Sequence, residues 1–214
     1  MPSTRFIQSA NPMTISEGLE LFPAPSKNKV QIIRPFAVFS ASSYSTPVTV
    51  PIGPAYLAGV LEKAGYEVDI IDGIGEGIQQ LNRSENGAFV YQGLATHEII
   101  ERIDPDCQAL GISLMFSQEW VHHRKLINAI KEKYPDIAII VGGEHPTAMP
   151  EYVLRDCPSI DFLIAGEGEL TLLELLHRYL AEENSLDIPG VFSIDTNGQF
   201  LNNGPARRIS DFSN

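Results

Sequence analysis

Five short apolar runs, each followed by a stretch of helical spacing, fix most of what this chain can fold into. The runs are residues 30–40 (VQIIRPFAVFS), 66–71 (YEVDII), 107–113 (CQALGIS), 136–141 (DIAIIV) and 160–165 (IDFLIA). Between them the apolar period changes. In residues 53–64 (GPAYLAGVLEKA), Leu57, Val60, Leu61 and Ala64 share a helical face, with Pro54 tolerated in a first turn and Gly65 placed as the stop. Residues 118–134 put Trp120, Ile127, Ile130 and Tyr134 on one face before Pro135, and residues 167–182 align Leu172, Leu175, Leu176 and Tyr179. Shorter helices are expected over 96–103 and 147–155. Strands built of nearly continuous Ile, Val, Leu and Ala, alternating with helices, predict a parallel sheet covered on both faces. Right-handed crossovers in a domain of this size favour a Rossmann-like, flavodoxin-like α/β fold with five strands in the order 2-1-3-4-5.

The flanks carry a different signal. Residues 1–28 are rich in Pro, Ser, Asn and Lys without sustained period and are read as an arm, leaving 29–184 as the α/β domain. Pro35 interrupts the first apolar run, and residues 72–86 are punctuated by Gly and Asn and show little pattern. From 185 onward, IPGVFSIDTNGQFLNNGP has Asn197-Gly198 between two β-prone runs, which predicts a hairpin over 190–202. The closing ARRISDFSN reads as a linker in a chain cut from a longer one, with Met1 its true start.

Charge and cysteine usage narrow the classes. The net charge of −12 argues against a nucleic-acid partner, because phosphate binding needs clustered Lys and Arg. No apolar run approaches the roughly 18 residues of a membrane span, and the start, MPSTRFIQSANP, lacks a secretory pattern, so a cytoplasmic protein is expected. Cys107 and Cys157 lie far apart and outside any CxxC, and are read as reduced thiols, Cys107 opening a buried strand.

In an open parallel sheet the ligand lies beyond the carboxyl ends of the strands. That rule nominates the loops at 40–53, after 72, at 113–118, 142–146 and 166–169. Neither GxxxxGK[ST], GxGxxG nor GxSxG occurs. Instead the first loop, SASSYSTPVTVPIGP, is rich in Ser and Thr and ends at a helix start able to hold an anion, the fourth offers Gly142 and Gly143, and the fifth reads GEGE from Gly166 to Glu169. Together they predict a broad cleft with bare backbone, suited to a large flat ligand. His122 and His123, being adjacent, point apart on a helix and are read as surface residues, as are His97 and His177. His145, directly after the diglycine, is either a turn residue bonded to backbone or a ligand contact. Glu167 and Glu169 suit the first turn of a helix, while a functional role would have Glu167 accept a ligand amide. Tyr44, Phe116 and Trp120 could line an apolar pocket, although Trp120 also fits the core. No catalytic set is evident.

As a collinear series, VPIGPAYLAGVLEKAGYEVDIID, ALGISLMFSQEW, IIVGGEHPTAMPE and IDFLIAGEGELTLLELL resemble the N-terminal cobalamin-binding domain of B12-dependent radical SAM enzymes, over about residues 50 to 180. The resemblance implies cobalamin as cofactor, with Ser113, Leu114 and Met115 on the family's SxL motif and Gly142 with Gly143 on its GG. The family's DxHxxG is absent, and the loop at 40–53 holds no His, which implies base-off binding without a histidine lower ligand. The benzimidazole tail would enter beside the sheet, bonded by Ser113 and passing the diglycine. On the same footing Tyr44, Pro51, Ile52, Gly53, Phe116, His145, Gly166, Glu167 and Gly168 are expected around the cofactor. The cluster-binding CxxxCxxC is missing, so the 4Fe–4S cluster and S-adenosylmethionine of such an enzyme, methyltransferase-like in type, would belong to a C-terminal radical SAM domain. This chain alone is then not catalytic. Two other readings stay open: a degenerate B12-like domain serving as scaffold or substrate-docking module, and a flavodoxin-like flavin or nucleotide binder.

Overall fold

The computed structural model describes residues 11–43 and 49–210. In chain order, α1 (Ile15–Leu21) leads to β1 (Lys29–Arg34), β2 (Ala37–Ser40), α2 (Ile52–Lys63) and β3 (Glu67–Asp72). Next come α3 (Gly73–Glu76), β4 (Leu81–Arg83), β5 (Phe89–Gln92), α4 (Thr96–Glu101) and β6 (Ala109–Ser113). A 3₁₀ turn (Ser117–Glu119) opens α5 (Trp120–Lys133), followed by β7 (Ala138–Gly142), α6 (Glu144–Ala148), α7 (Pro150–Asp156) and β8 (Phe162–Ile164). The chain closes with α8 (Glu169–Leu180), β9 (Val191–Ile194) and β10 (Phe200–Asn202). No helix among the described residues is long and apolar enough to cross a membrane.

The main sheet runs β3-β1-β6-β7-β8-β9-β10. Its first five strands are parallel, and β9 and β10 then add antiparallel. The sheet thus has seven strands in a longer order than the five-strand one expected. The hairpin is not an appendage: β8 would otherwise present an open edge, and Val191 and Phe192 pair with Ile164 and Leu163 while their side chains join the core. Its turn is set by Asp195, whose carboxylate accepts the Asn197 and Gln199 amides.

Each strand feeds both faces, as the pleat requires. Ile139 and Val141 of β7 lie in one core with Leu126, Ile127 and Ile130 of α5; Ala138 and Ile140 lie in the other with Leu61 of α2 and Leu172 and Leu176 of α8. Full burial of such a side chain stabilises by about 1.5–3 kcal/mol. This explains why the strands read as unbroken apolar runs.

Four sequence expectations need correction. Part of the presumed N-terminal arm is packed: Thr14 and Glu17 form a capping box on α1, Ile15 is buried, and Gly18 meets Leu170 of α8. The run at 30–40 is two strands, because Pro35 has no N–H for the ladder and β2 leaves to pair with β5. Of that second, three-stranded sheet (β2-β5-β4), β4 falls within the stretch that showed no pattern, and β5 just after it. All of Leu81–Arg83 is exposed, so no buried face imposed a period there. The helix expected at 147–155 is α6 and α7, divided at Met149, which precedes Pro150 and is non-helical (φ −139°, ψ 54°).

Candidate functional site

The carboxyl ends of β6, β7 and β8 and the first turns of α2 and α8 enclose a cleft of about 230 Å³. Its floor is sheet (Ile32, Gly111, Ile140), its walls are Gly53 and Leu57 of α2 and Leu172 of α8, and Gly166 to Glu169 form one rim. A second hollow of about 240 Å³ adjoins it, lined by Arg34, Thr49, Phe116, Gln118, Glu119 and His123 among others. Ser113 and Met115 line both. The pair therefore forms the partition of one extended groove across the strand ends.

The two glycines after β7 differ in kind. Gly143 has φ +112°, and a methyl there would overlap the Leu114 carbonyl oxygen and sit 3.0 Å from its carbon. It must be glycine for the fold itself. Gly142 has no such reason: a Cβ there would lie 3.5 Å from the Ile164 oxygen, an ordinary contact. A Cβ at Gly111 would meet only Ile32, at 3.8 Å, and one at Gly53 nothing within 4 Å. Three cleft-lining positions thus leave empty room that the protein does not fill.

Among the remaining expected residues, Gly166, Glu167, Gly168 and the half-exposed Met115 line the cleft, whereas Phe116, also about half exposed, lines the second hollow. Glu167 is partly committed, since its Oε2 accepts the Ile209 amide at 2.9 Å and so ties down the C-terminal segment. Glu169 is a first-turn acid of α8. Pro51 is the N-cap of α2 and Ile52 its exposed first residue; neither lines the cleft, although Gly53 does. Tyr44 lies outside the described residues.

Leu114 does not fit the expected role. Following Ser113 in the strand direction it points the other way and is buried in the α5-side core, contributing only backbone: its N–H donates to the Gly142 carbonyl. His145 lines neither hollow. It is 3% exposed, with Nδ1 at 2.9 Å from the Ser117 hydroxyl and its ring 5.2 Å from that of Trp120. Trp120 is core, its indole N–H bonded to Asp156. His122 is half-buried, its Nδ1 3.1 Å from the Tyr91 hydroxyl. His97 is exposed and His177 half-buried, its Nδ1 on the Pro23 carbonyl. Cys107 and Cys157 are free and buried, and burial pushes both thiols up to about 11.

Sequence reasoning missed the buried polar pair beside the groove. His123, expected on the surface, is 3% exposed and its Nε2–H donates to the Phe36 carbonyl at 2.8 Å; burial holds its pKa down to about 4. Glu119 is 6% exposed, its Oε1 accepts the Val38 amide at 2.8 Å, and burial pushes its pKa up to about 7. The only available signal was spacing, because 119, 123, 126, 127 and 130 share one helical face.

These shifts make a prediction with opposite signs. Unfolded, Glu119 ionises near 4.5; folded, it keeps its proton to about 7, so its term favours folding at low pH and is lost as pH rises through that window. His123 runs the other way, its term being present above 6.5 and lost as pH falls toward 4. Gln at 119 cannot ionise and retains the oxygen for Val38. Glu119→Gln should therefore gain on the wild type by about 1.4 kcal/mol per pH unit between 4.5 and 7. Urea unfolding across that window checks this; curves that stay parallel would refute it.

A larger open groove, about 690 Å³, lies under the second sheet between Tyr91, His97, His122 and Lys125. No residue of β7 or β8 lines it, and none of the buried unpaired side-chain atoms among the described residues belongs to its lining.

Comparison with known proteins bears on the family of the chain. Residues 44–176 match the B12 binding domain family. The chain is 32% identical over 157 residues to cytidylyl-2-hydroxyethylphosphonate methyltransferase from Streptomyces wedmorensis, covering 71% of this chain and 28% of that one. It is 28% identical over 163 residues to the anaerobic magnesium-protoporphyrin IX monomethyl ester cyclase of Synechocystis sp., covering 75% and 29%. It therefore spans under a third of the length of these relatives. Among solved structures, the radical S-adenosylmethionine methyltransferase TsrM from Kitasatospora setae, with cobalamin and a [4Fe-4S] cluster bound, superposes with a TM-score of 0.61 at 20% identity, covering 84% of this chain and 29% of that one. The cobalamin-dependent S-adenosylmethionine radical enzyme OxsB, with aqua-cobalamin and S-adenosylmethionine, gives 0.59 at 21% identity, covering 83% and 22%.

Proposed function

This chain belongs to the B12-binding domain family, and from that premise we propose that it holds cobalamin base-off in the groove across its strand ends, as the corrinoid module of a radical SAM methyltransferase-like enzyme. The observation that carries the reading is the unfilled room over Gly142, Gly111 and Gly53, three positions where nothing in the fold excludes a side chain. The cleft between α2 and α8 takes the nucleotide tail, with Ser113 as its polar contact and Gly166 to Gly168 as its rim. The macrocycle covers the second hollow, against Met115 and Phe116. Bound cobalamin supplies a transferable methyl group; the protein's part is to bind, orient and shield it. A base-off, histidine-free lower face is supported by the loop at 40–53, which holds no histidine.

The radical SAM domain, with its 4Fe–4S cluster and S-adenosylmethionine, is proposed as the partner on the same polypeptide, and the cytoplasm as its location. Incubation of the purified chain with hydroxocobalamin followed by gel filtration tests the core of this reading. Stoichiometric corrinoid should co-elute with the protein, and a colourless protein peak overturns the proposal. Methylcobalamin that stays base-on when bound would overturn the base-off part alone.

A further inference from the structure

The turn Ser117–Glu119 leads from the groove into α5. Ser117 is exposed and stands between Phe116 and Gln118, both of which line the second hollow. Its hydroxyl is 2.9 Å from Nδ1 of His145, a side chain that is 3% exposed and whose Nε2 is buried without a partner.

That combination fixes the direction of the bond. Burial lowers the His145 pKa, so the ring is neutral and carries a single N–H. A proton on Nε2 would leave a buried donor with nothing to bond. A proton on Nδ1 leaves only a bare acceptor at Nε2, and buried orphan donors are the rarer and costlier case. Nδ1–H therefore donates to the Ser117 oxygen. The hydroxyl hydrogen of Ser117 is then free to donate elsewhere, on an exposed residue whose two chain neighbours line the second hollow. The imidazole is held in this orientation by the Ser117 bond at Nδ1 and by the Trp120 ring, 5.2 Å away.

We propose that Ser117 donates a hydrogen bond to an amide carbonyl on the macrocycle of the bound corrinoid, and that His145 is the positioning residue that aims it. The inference rests on the cobalamin reading above. A macrocycle fringed with amide side chains presents carbonyl acceptors at its edge, which is where Ser117 stands.

Spectroscopic titration of the 214-residue chain with hydroxocobalamin tests it. Ser117→Ala should raise Kd about five- to tenfold, the loss of one hydrogen bond, and Ser117→Thr should stay near the wild type. His145→Phe, which keeps a ring beside Trp120, should weaken binding by a similar factor, and the double variant no more than either single. An effect of His145→Phe that multiplies with that of Ser117→Ala overturns the positioning role. Dicyanocobinamide, which lacks the nucleotide, should show the same Ser117→Ala loss; a loss confined to cobalamin would put the donor on the nucleotide phosphate and overturn the amide assignment. Should His145→Phe fail to fold, the exposed Ser117 variants still decide. A wild type that retains no corrinoid overturns both proposals, whereas a binding wild type with Ser117→Ala unchanged overturns this one alone.

Discussion

Gly143→Ala should destabilise the chain by at least about 3 kcal/mol, a large share of the roughly 5–15 kcal/mol that holds a domain together. Two independent costs add. At φ +112° an L-residue is strained by about 1–3 kcal/mol. The new methyl would also overlap the Leu114 carbonyl oxygen, with the carbonyl carbon at 3.0 Å and the amide nitrogen at 3.1 Å, so backbone rather than a pliable side chain must move. That carbonyl accepts the His145 amide, and the Leu114 amide in turn reaches the Gly142 carbonyl, so the shift would loosen the start of α6 and the end of β7 together. Denaturant unfolding checks this, with the midpoint falling and the slope constant. A midpoint equal to the wild type would refute the assignment of Gly143 to the fold.

The division between what could and could not be read from the chain follows the same physics. Ile139, Ile140 and Val141 announced a strand buried on both faces because each really is buried, whichever side it points to. Leu81, Asn82 and Arg83 announced nothing, since an exposed strand in an outlying sheet carries no period. Hairpin residues 191–194 were visible as strand, but their joining the open edge of β8 depends on partners brought in from far along the chain. At the site, Ser113 and Met115 were found through motif, and simple alternation already implied that Leu114 between them turns into the core. His123, Glu119 and Ser117 were beyond reach for another reason. Their roles are set by Phe36, Val38 and His145, none of them near in sequence.

Gly142→Trp should fold like the wild type and lose cobalamin. Gly142 is not among the residues with positive φ, and its Cβ direction is open apart from an ordinary 3.5 Å contact to Ile164. The added indole has one place to go, the cleft of about 230 Å³ between α2 and α8, and it would take the room assigned to the nucleotide tail. Binding should weaken at least 100-fold, a loss of about 2.7 kcal/mol, while the unfolding midpoint stays close to that of the wild type. The contrast with its neighbour is the point: one glycine should matter to stability and the next to ligand alone. Undiminished binding by Gly142→Trp would remove the tail from this cleft, and a dicyanocobinamide titration would sharpen the result. Lacking the nucleotide, that ligand should bind the variant nearly as well as it binds the wild type, because the indole blocks the tail's path and leaves the macrocycle's place over Met115 and Phe116 untouched. If the wild type itself retains no corrinoid, the unfilled room over Gly142 loses its proposed occupant, and the domain is better read as a B12-like scaffold whose cleft docks something else.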